Sequence, residues 1–83
     1  MDFVKGRVVI SLAGRDKGRY LTVIDSTETG ALVADGKLRS LTNPKKKNQK
    51  HLSPTKTILD AGALENDRAL RKAINEAFGA DRR

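Results

Sequence analysis

Apolar residues in the first half of the chain come in short clusters rich in Val and Ile: "GRVVISL" (6–12), "RYLTVID" (19–25) and "ALVAD" (31–35). Each is bounded by Gly, Asp or Ser-Thr groups, the pattern of short strands. Their spacing predicts a meander joined by "AGRDKG" and "STETG". Asp35-Gly36 is the strongest hairpin signal, because both residues tolerate the positive φ of a type I′ turn. A fourth strand is expected near 37–42 and a fifth near 50–53. The intervening "NPKKKNQK" (43–50) reads as an exposed, mobile loop: Pro44 gives no N–H to a ladder, and consecutive lysines repel one another. Strands this short suggest a fold that removes its edges, so a mainly β protein is expected, a small five-stranded SH3-like barrel.

The period changes at Asn66. In "NDRALRKAINEAFG", Leu70, Ala73, Ile74, Ala77 and Phe78 fall at helical spacing and form one apolar stripe. Asn66 is a good N-cap, Asp67 suits the first turn and Gly79 the C′ position, so a helix is expected over 67–78. Arg68, Arg71 and Lys72 are balanced in sequence by Glu65, Asp67 and Glu76, and the helix reads as scaffold. Division at residue 56 follows: a barrel over 1–56, then a linker ("KTILDAGA" onward) and C-terminal helix over 57–83, with "ADRR" as a fraying tail.

At 83 residues the chain suits one domain, which buries only about 60% of the surface its unfolded form exposes. Charge changes the picture more than size does. Seventeen Lys and Arg against ten Asp and Glu give a net +7. Residues 1–56 hold twelve basic and five acidic side chains, whereas 57–83 hold five of each. An excess segregated in this way points to a polyanion partner. With no cysteine, a disulfide framework, a thiolate metal site and a Cys nucleophile are all excluded, and a reducing compartment fits best. The opening "MDFVKGRVV" has no basic-then-apolar leader, and no apolar run approaches the roughly 20 residues of a membrane span. A cytoplasmic monomer with no membrane contact is expected.

Catalysis lacks parts. His51 has no obvious nucleophile beside it, and Asp2, Asp16, Asp25, Glu28 and Asp35 stand singly on turns and strand ends, without acid/base or metal-ligand spacing. "GRDKG" is no Walker loop, because a strand follows Gly18 where that loop opens a helix. No enzyme, cofactor or metal is therefore expected. Gly14, Asp16, Gly18, Asp35 and Gly36 read instead as turn-forming residues. Glycine accepts positive φ and leaves the backbone open to a polyanion, and the Asp16 carboxylate can accept a turn N–H.

"GRVVISLAGRDKGRYLTVID" resembles the KOW motif, a strand–turn–strand unit with glycine in a basic turn. The likeness covers roughly residues 6–36, with Val8, Val9, Gly14, Asp16, Gly18 and Val23 at motif positions. "VADGKLRSLTNPKKKNQKHL" followed by a short helix with an "RKAI" core is similar to a family of small bacterial KOW-domain RNA-binding proteins. That family is in turn similar to large-subunit ribosomal proteins of archaea and eukaryotes with an N-terminal KOW barrel. The resemblance implies RNA binding, ribosomal RNA or another structured RNA, with ribosomal proteins as further partners and a ribonucleoprotein role in translation. It carries over to Arg15, Lys17, Arg19, Lys45, Lys46, Lys47, Lys50 and His51 as matching basic positions, to which Lys37 and Arg39 of the expected fourth strand are added.

The residues themselves favour backbone recognition. Tyr20 is the one candidate for base stacking, and it suits the core as well as the surface. Lysine-rich turns and loops reach phosphates and carry little sequence information. Two other readings stay open: a protein-interaction module docking on an acidic ribosomal protein or polymerase subunit, and a basic DNA binder. "PKKKNQK" also resembles a nuclear-import signal and is read here as an RNA-facing loop.

Overall fold

Val8 and Val9 open β1 (Arg7–Ser11), and the alternation of "YLTVIDS" shapes β2 (Tyr20–Ser26). In the computed structural model, which describes residues 2–78, β3 (Gly30–Ala34), β4 (Lys45–Asn48), β5 (Leu52–Ile58) and α1 (Asp67–Phe78) follow. Short 3-10 segments occupy Gly14–Asp16, Gln49–His51 and Ala61–Leu64. The strands form one antiparallel sheet in the order β4-β3-β2-β1-β5.

The expected closed SH3-like barrel is corrected by that order. The five strands and the C-terminal helix are present, but β4 and β5 are the two edges of an open sheet, and no ladder joins them. After Asn48, which pairs with Gly30 of β3, the Gln49–His51 segment carries the chain to Leu52, which pairs with Ser11 of β1. The two strands thus leave one another at a corner and do not run side by side. Both edges carry features that discourage further pairing: three lysines on β4, and Pro54 and Lys56 on β5.

The strand positions also shift. Residues 37–42 form turns, and β4 lies within the run expected to be a mobile loop. Lys45, Lys46 and Lys47 pair with Val33, Leu32 and Ala31. Strand alternation sends successive lysine side chains to opposite faces, so repulsion is relieved while the backbone completes the ladder. The fifth strand begins at Leu52 and runs through residue 56 to Ile58.

Alternation also builds two cores. Val9, Leu21, Val23, Ala31, Val33 and Leu52 cluster with Phe3 on one face. On the other, Ala34, Tyr20 and Ile24 meet Leu70, Ile74 and Phe78 of the helix, with Leu41, Leu59 and Leu64 around them. The helix keeps its expected bounds. Asn66 caps it by accepting the Ala69 N–H at 2.8 Å, Leu70 and Ile74 are buried and Ala73 is half-buried, whereas Ala77 is exposed. Tyr20 belongs to this core: its ring stacks on Phe78 at 4.2 Å between centroids. The expected Gly79 cap and the 80–83 tail lie outside the described residues. No helix among those described is long and apolar enough to cross a membrane.

Thr22 is fully buried between Val8 and Ala34 on neighbouring strands, and its hydroxyl has no hydrogen-bond partner among the described residues. An orphaned buried hydroxyl is destabilising, and valine has the same shape. Thr22→Val is therefore expected to stabilise the protein by about 1 kcal/mol, raising Tm by roughly 4–8 °C for a domain of this size. A lower Tm in a thermal melt would contradict this packing.

Candidate nucleic-acid interface

The connection between β1 and β2 turns at Gly14 and Gly18, with φ of +78° and +86°. Gly18 donates its N–H to Ser11 O at 2.7 Å and Arg19 to Asp16 O at 2.8 Å, which braces the turn across its base. Arg15, Lys17 and Arg19 remain exposed around it.

Asp16 points the other way. The residue is 2% exposed, and its carboxylate accepts from the Arg39 guanidinium at 3.2 Å and pairs with the Lys47 ammonium at 3.6 Å. Lys47 also donates to Ala13 O at 3.2 Å. One buried anion therefore ties the turn to the β3–β4 connection through Arg39 and to the edge strand through Lys47. This changes the expected role of Asp16: a side-chain bond to a turn N–H is replaced by two long-range ion pairs. Asp35 takes the part of turn acceptor, binding the N–H groups of Lys37 at 2.8 Å and Arg39 at 2.9 Å. Among the described residues only glycines have positive φ, so Asp35-Gly36 is not a type I′ turn.

A third segment joins the same end. Leu12 donates its N–H to His51 O at 2.8 Å, placing the Gln49–His51 turn beside the start of the β1–β2 connection. Lys50 and His51 are exposed there. The structure thus gathers Arg15, Lys17, Arg19, Arg39, Lys47, Lys50 and His51 from segments far apart in sequence. Lys45 and Lys46 continue along the edge strand from Lys47, both exposed. Lys37 is exposed next to Gly36, whose backbone lies against the first turns of α1.

Two of the ten basic positions differ from the rest. The Lys47 side chain is 10% exposed and that of Arg39 28%, both committed to Asp16. A second anchor went unseen in the sequence: Asp67 accepts the Leu41 N–H at 2.7 Å and holds the β3–β4 connection against the helix. Its placement at a helix start signals a carboxylate near free N–H groups, but not which loop supplies one.

An open antiparallel sheet with one docked helix and a cationic end defines a small basic α+β protein. No protein-family model matches the chain. It is 30% identical over 74 residues to large ribosomal subunit protein eL14 of Staphylothermus marinus, covering 87% of this chain and 76% of that protein. With the eL14 of Desulfurococcus amylolyticus it shares 33% over 73 residues, 86% of this chain and 75% of that one. With that of Pyrobaculum neutrophilum it shares 31% over 78 residues, 92% and 75%. The chain belongs to the eL14 family of large ribosomal subunit proteins. Kinship with archaeal large-subunit ribosomal proteins is thereby borne out, as is the expectation of a non-catalytic protein.

Proposed function

We propose that this chain binds structured RNA, ribosomal RNA first, through its backbone phosphates, and acts as a ribosome-associated protein in the cytoplasm with ribosomal proteins as neighbours. The names of its relatives support the ribosomal setting. The observation that carries the phosphate mechanism is the Asp16 latch, which holds three basic segments together and leaves the cations around it exposed. Arg15, Lys17, Arg19, Lys37, Lys45, Lys46 and Lys50 reach phosphates in this reading, and His51 donates to one beside Lys50. Arg39 and Lys47 fix the shape of the surface, and the exposed part of Arg39 adds to its potential. At Gly18 the backbone is open, with no atom near enough to touch an added Cβ, so a phosphate can approach it closely. Such contacts follow the shape of a folded RNA and say little about its sequence.

The paired substitution Lys45→Ala and Lys46→Ala separates binding from folding. Both side chains are exposed and outside the latch, so Tm is expected to move by less than about 3 °C. RNA affinity should fall, and the slope of log K against log salt should flatten by about 1.5, from roughly 0.7–0.9 per phosphate lost. Unchanged affinity in a filter-binding titration would remove β4 from the interface. Adding Lys47→Ala is expected to lower Tm as well, since Asp16 then loses a buried partner.

A further inference from the structure

The helix carries a second cationic face. Arg68, Arg71, Lys72, Asn75 and Glu76 line an open cleft of about 350 Å³ on α1. All five are exposed. In the sequence these cations look neutralised by acidic neighbours, but Asp67 turns its carboxylate to the Leu41 N–H at 2.7 Å. Among the described residues none of Arg68, Arg71 and Lys72 has an ion-pair partner. Glu76, one turn beyond Lys72, is unpaired in the same sense and is the one carboxylate in the cleft.

The cleft adjoins the interface already described. A Cβ added to Gly36 would meet the Asp67 carbonyl oxygen and, at 3.0 Å, the Arg71 nitrogen, so the β3–β4 connection lies directly on the helix. That connection carries Lys37 and, through Arg39, is tied to the Asp16 latch. Lys37 is thus one residue from a backbone contact with Arg71, which lines the cleft. The occupant's chemistry follows from what lines the cleft: three long cations, an amide and the single Glu76 carboxylate, with none of the exposed large apolar residues, Val4, Leu12, Leu38 and Ile58. Protein interfaces generally centre on an apolar or aromatic core, whereas phosphate contacts need only mobile cations and polar donors.

The geometry points to this helix face as a second phosphate-binding surface for the same RNA, an assignment that rests on the RNA-binding reading above. The Arg68 and Arg71 end holds the phosphate backbone, and Glu76 marks the limit of the track. A bound RNA then spans the sheet end and the helix, and its position is set by two patches held at a fixed separation by the packed core.

The test uses the full chain and deproteinised large-subunit ribosomal RNA. Arg68→Ala, Arg71→Ala and Lys72→Ala together keep helix propensity and touch no core residue, so helical circular dichroism should be unchanged. Affinity at about 0.15 M salt is expected to fall roughly tenfold or more, and the salt slope to flatten by about 2. Glu76→Gln should tighten binding by up to about fivefold, the range of one exposed charge. Unchanged affinity and slope in the triple variant, with the Lys45→Ala and Lys46→Ala pair still defective, would overturn the helix surface and leave the RNA reading standing. A parent chain that does not bind RNA overturns both. Loss of retention on ribosomal proteins, with RNA affinity intact, assigns the face to a protein partner and also overturns the proposal.

Discussion

Asp16→Asn is expected to lower stability by about 3 kcal/mol and Tm by roughly 12–24 °C, a large share of what an 83-residue domain possesses. The asparagine keeps the size of the side chain and removes the charge that both Arg39 and Lys47 face. Lys47 suffers most: its side chain is 10% exposed, and without the carboxylate its ammonium keeps only the Ala13 carbonyl. Breaking a buried pair by removing one partner leaves the other charge uncompensated, which costs more than removing both. Adding Lys47→Met should therefore recover part of the lost Tm. A melt of Asp16→Asn within about 3 °C of the parent would show that the latch contributes little. The same variant should bind RNA less tightly despite its higher net charge, because the basic turn is no longer held to the edge strand.

Gly36→Val is the second large effect, at about 4 kcal/mol. Its φ of +78° is one that a β-branched residue resists, and the new side chain would collide with backbone atoms of Asp67 and Arg71 that a helix cannot readily move. Strain and overpacking contribute about 1–3 kcal/mol each. The helix is expected to undock, breaking the Tyr20–Phe78 stack and changing the fluorescence of the chain's single tyrosine. Gly18→Ala is the control: φ is similar at +86°, but the space is open, so about 1 kcal/mol is expected. Equal melts for the two variants would show that the contact between Gly36 and the helix carries no weight.

What could be read from the chain alone depended on how local the cause was. The helix was legible to its bounds because its cap, first-turn acid and apolar stripe all lie within residues 66–78. The first three strands were legible because their alternation matches the two faces of the sheet, Leu21 and Val23 on one and Tyr20 and Ile24 on the other. The lysine run was misread as a loop because repulsion between neighbours is visible in sequence, whereas the ladder to Gly30–Val33 that overrides it is not. Closure failed for a related reason: whether β4 flanks β5 depends on the corner turned at Gln49–His51, and strand length alone does not show it.

The cationic end was legible in its composition and not in its wiring. The sequence lists ten candidate basic groups as equals. Folding separates Arg39 and Lys47, whose charges serve Asp16, from those left exposed around them. Counting charges along the helix likewise does not show that the Asp67 carboxylate serves as a loop anchor by accepting the Leu41 N–H.

Titrating the unmodified chain with large-subunit ribosomal RNA at several salt concentrations asks whether folded RNA is held through its phosphates. If the seven cations of the sheet end and the three of the helix each neutralise one phosphate, log K against log salt should fall with a slope of about −7 to −9. A slope near zero, with tight binding retained at high salt, would show that phosphate contacts do not hold the RNA.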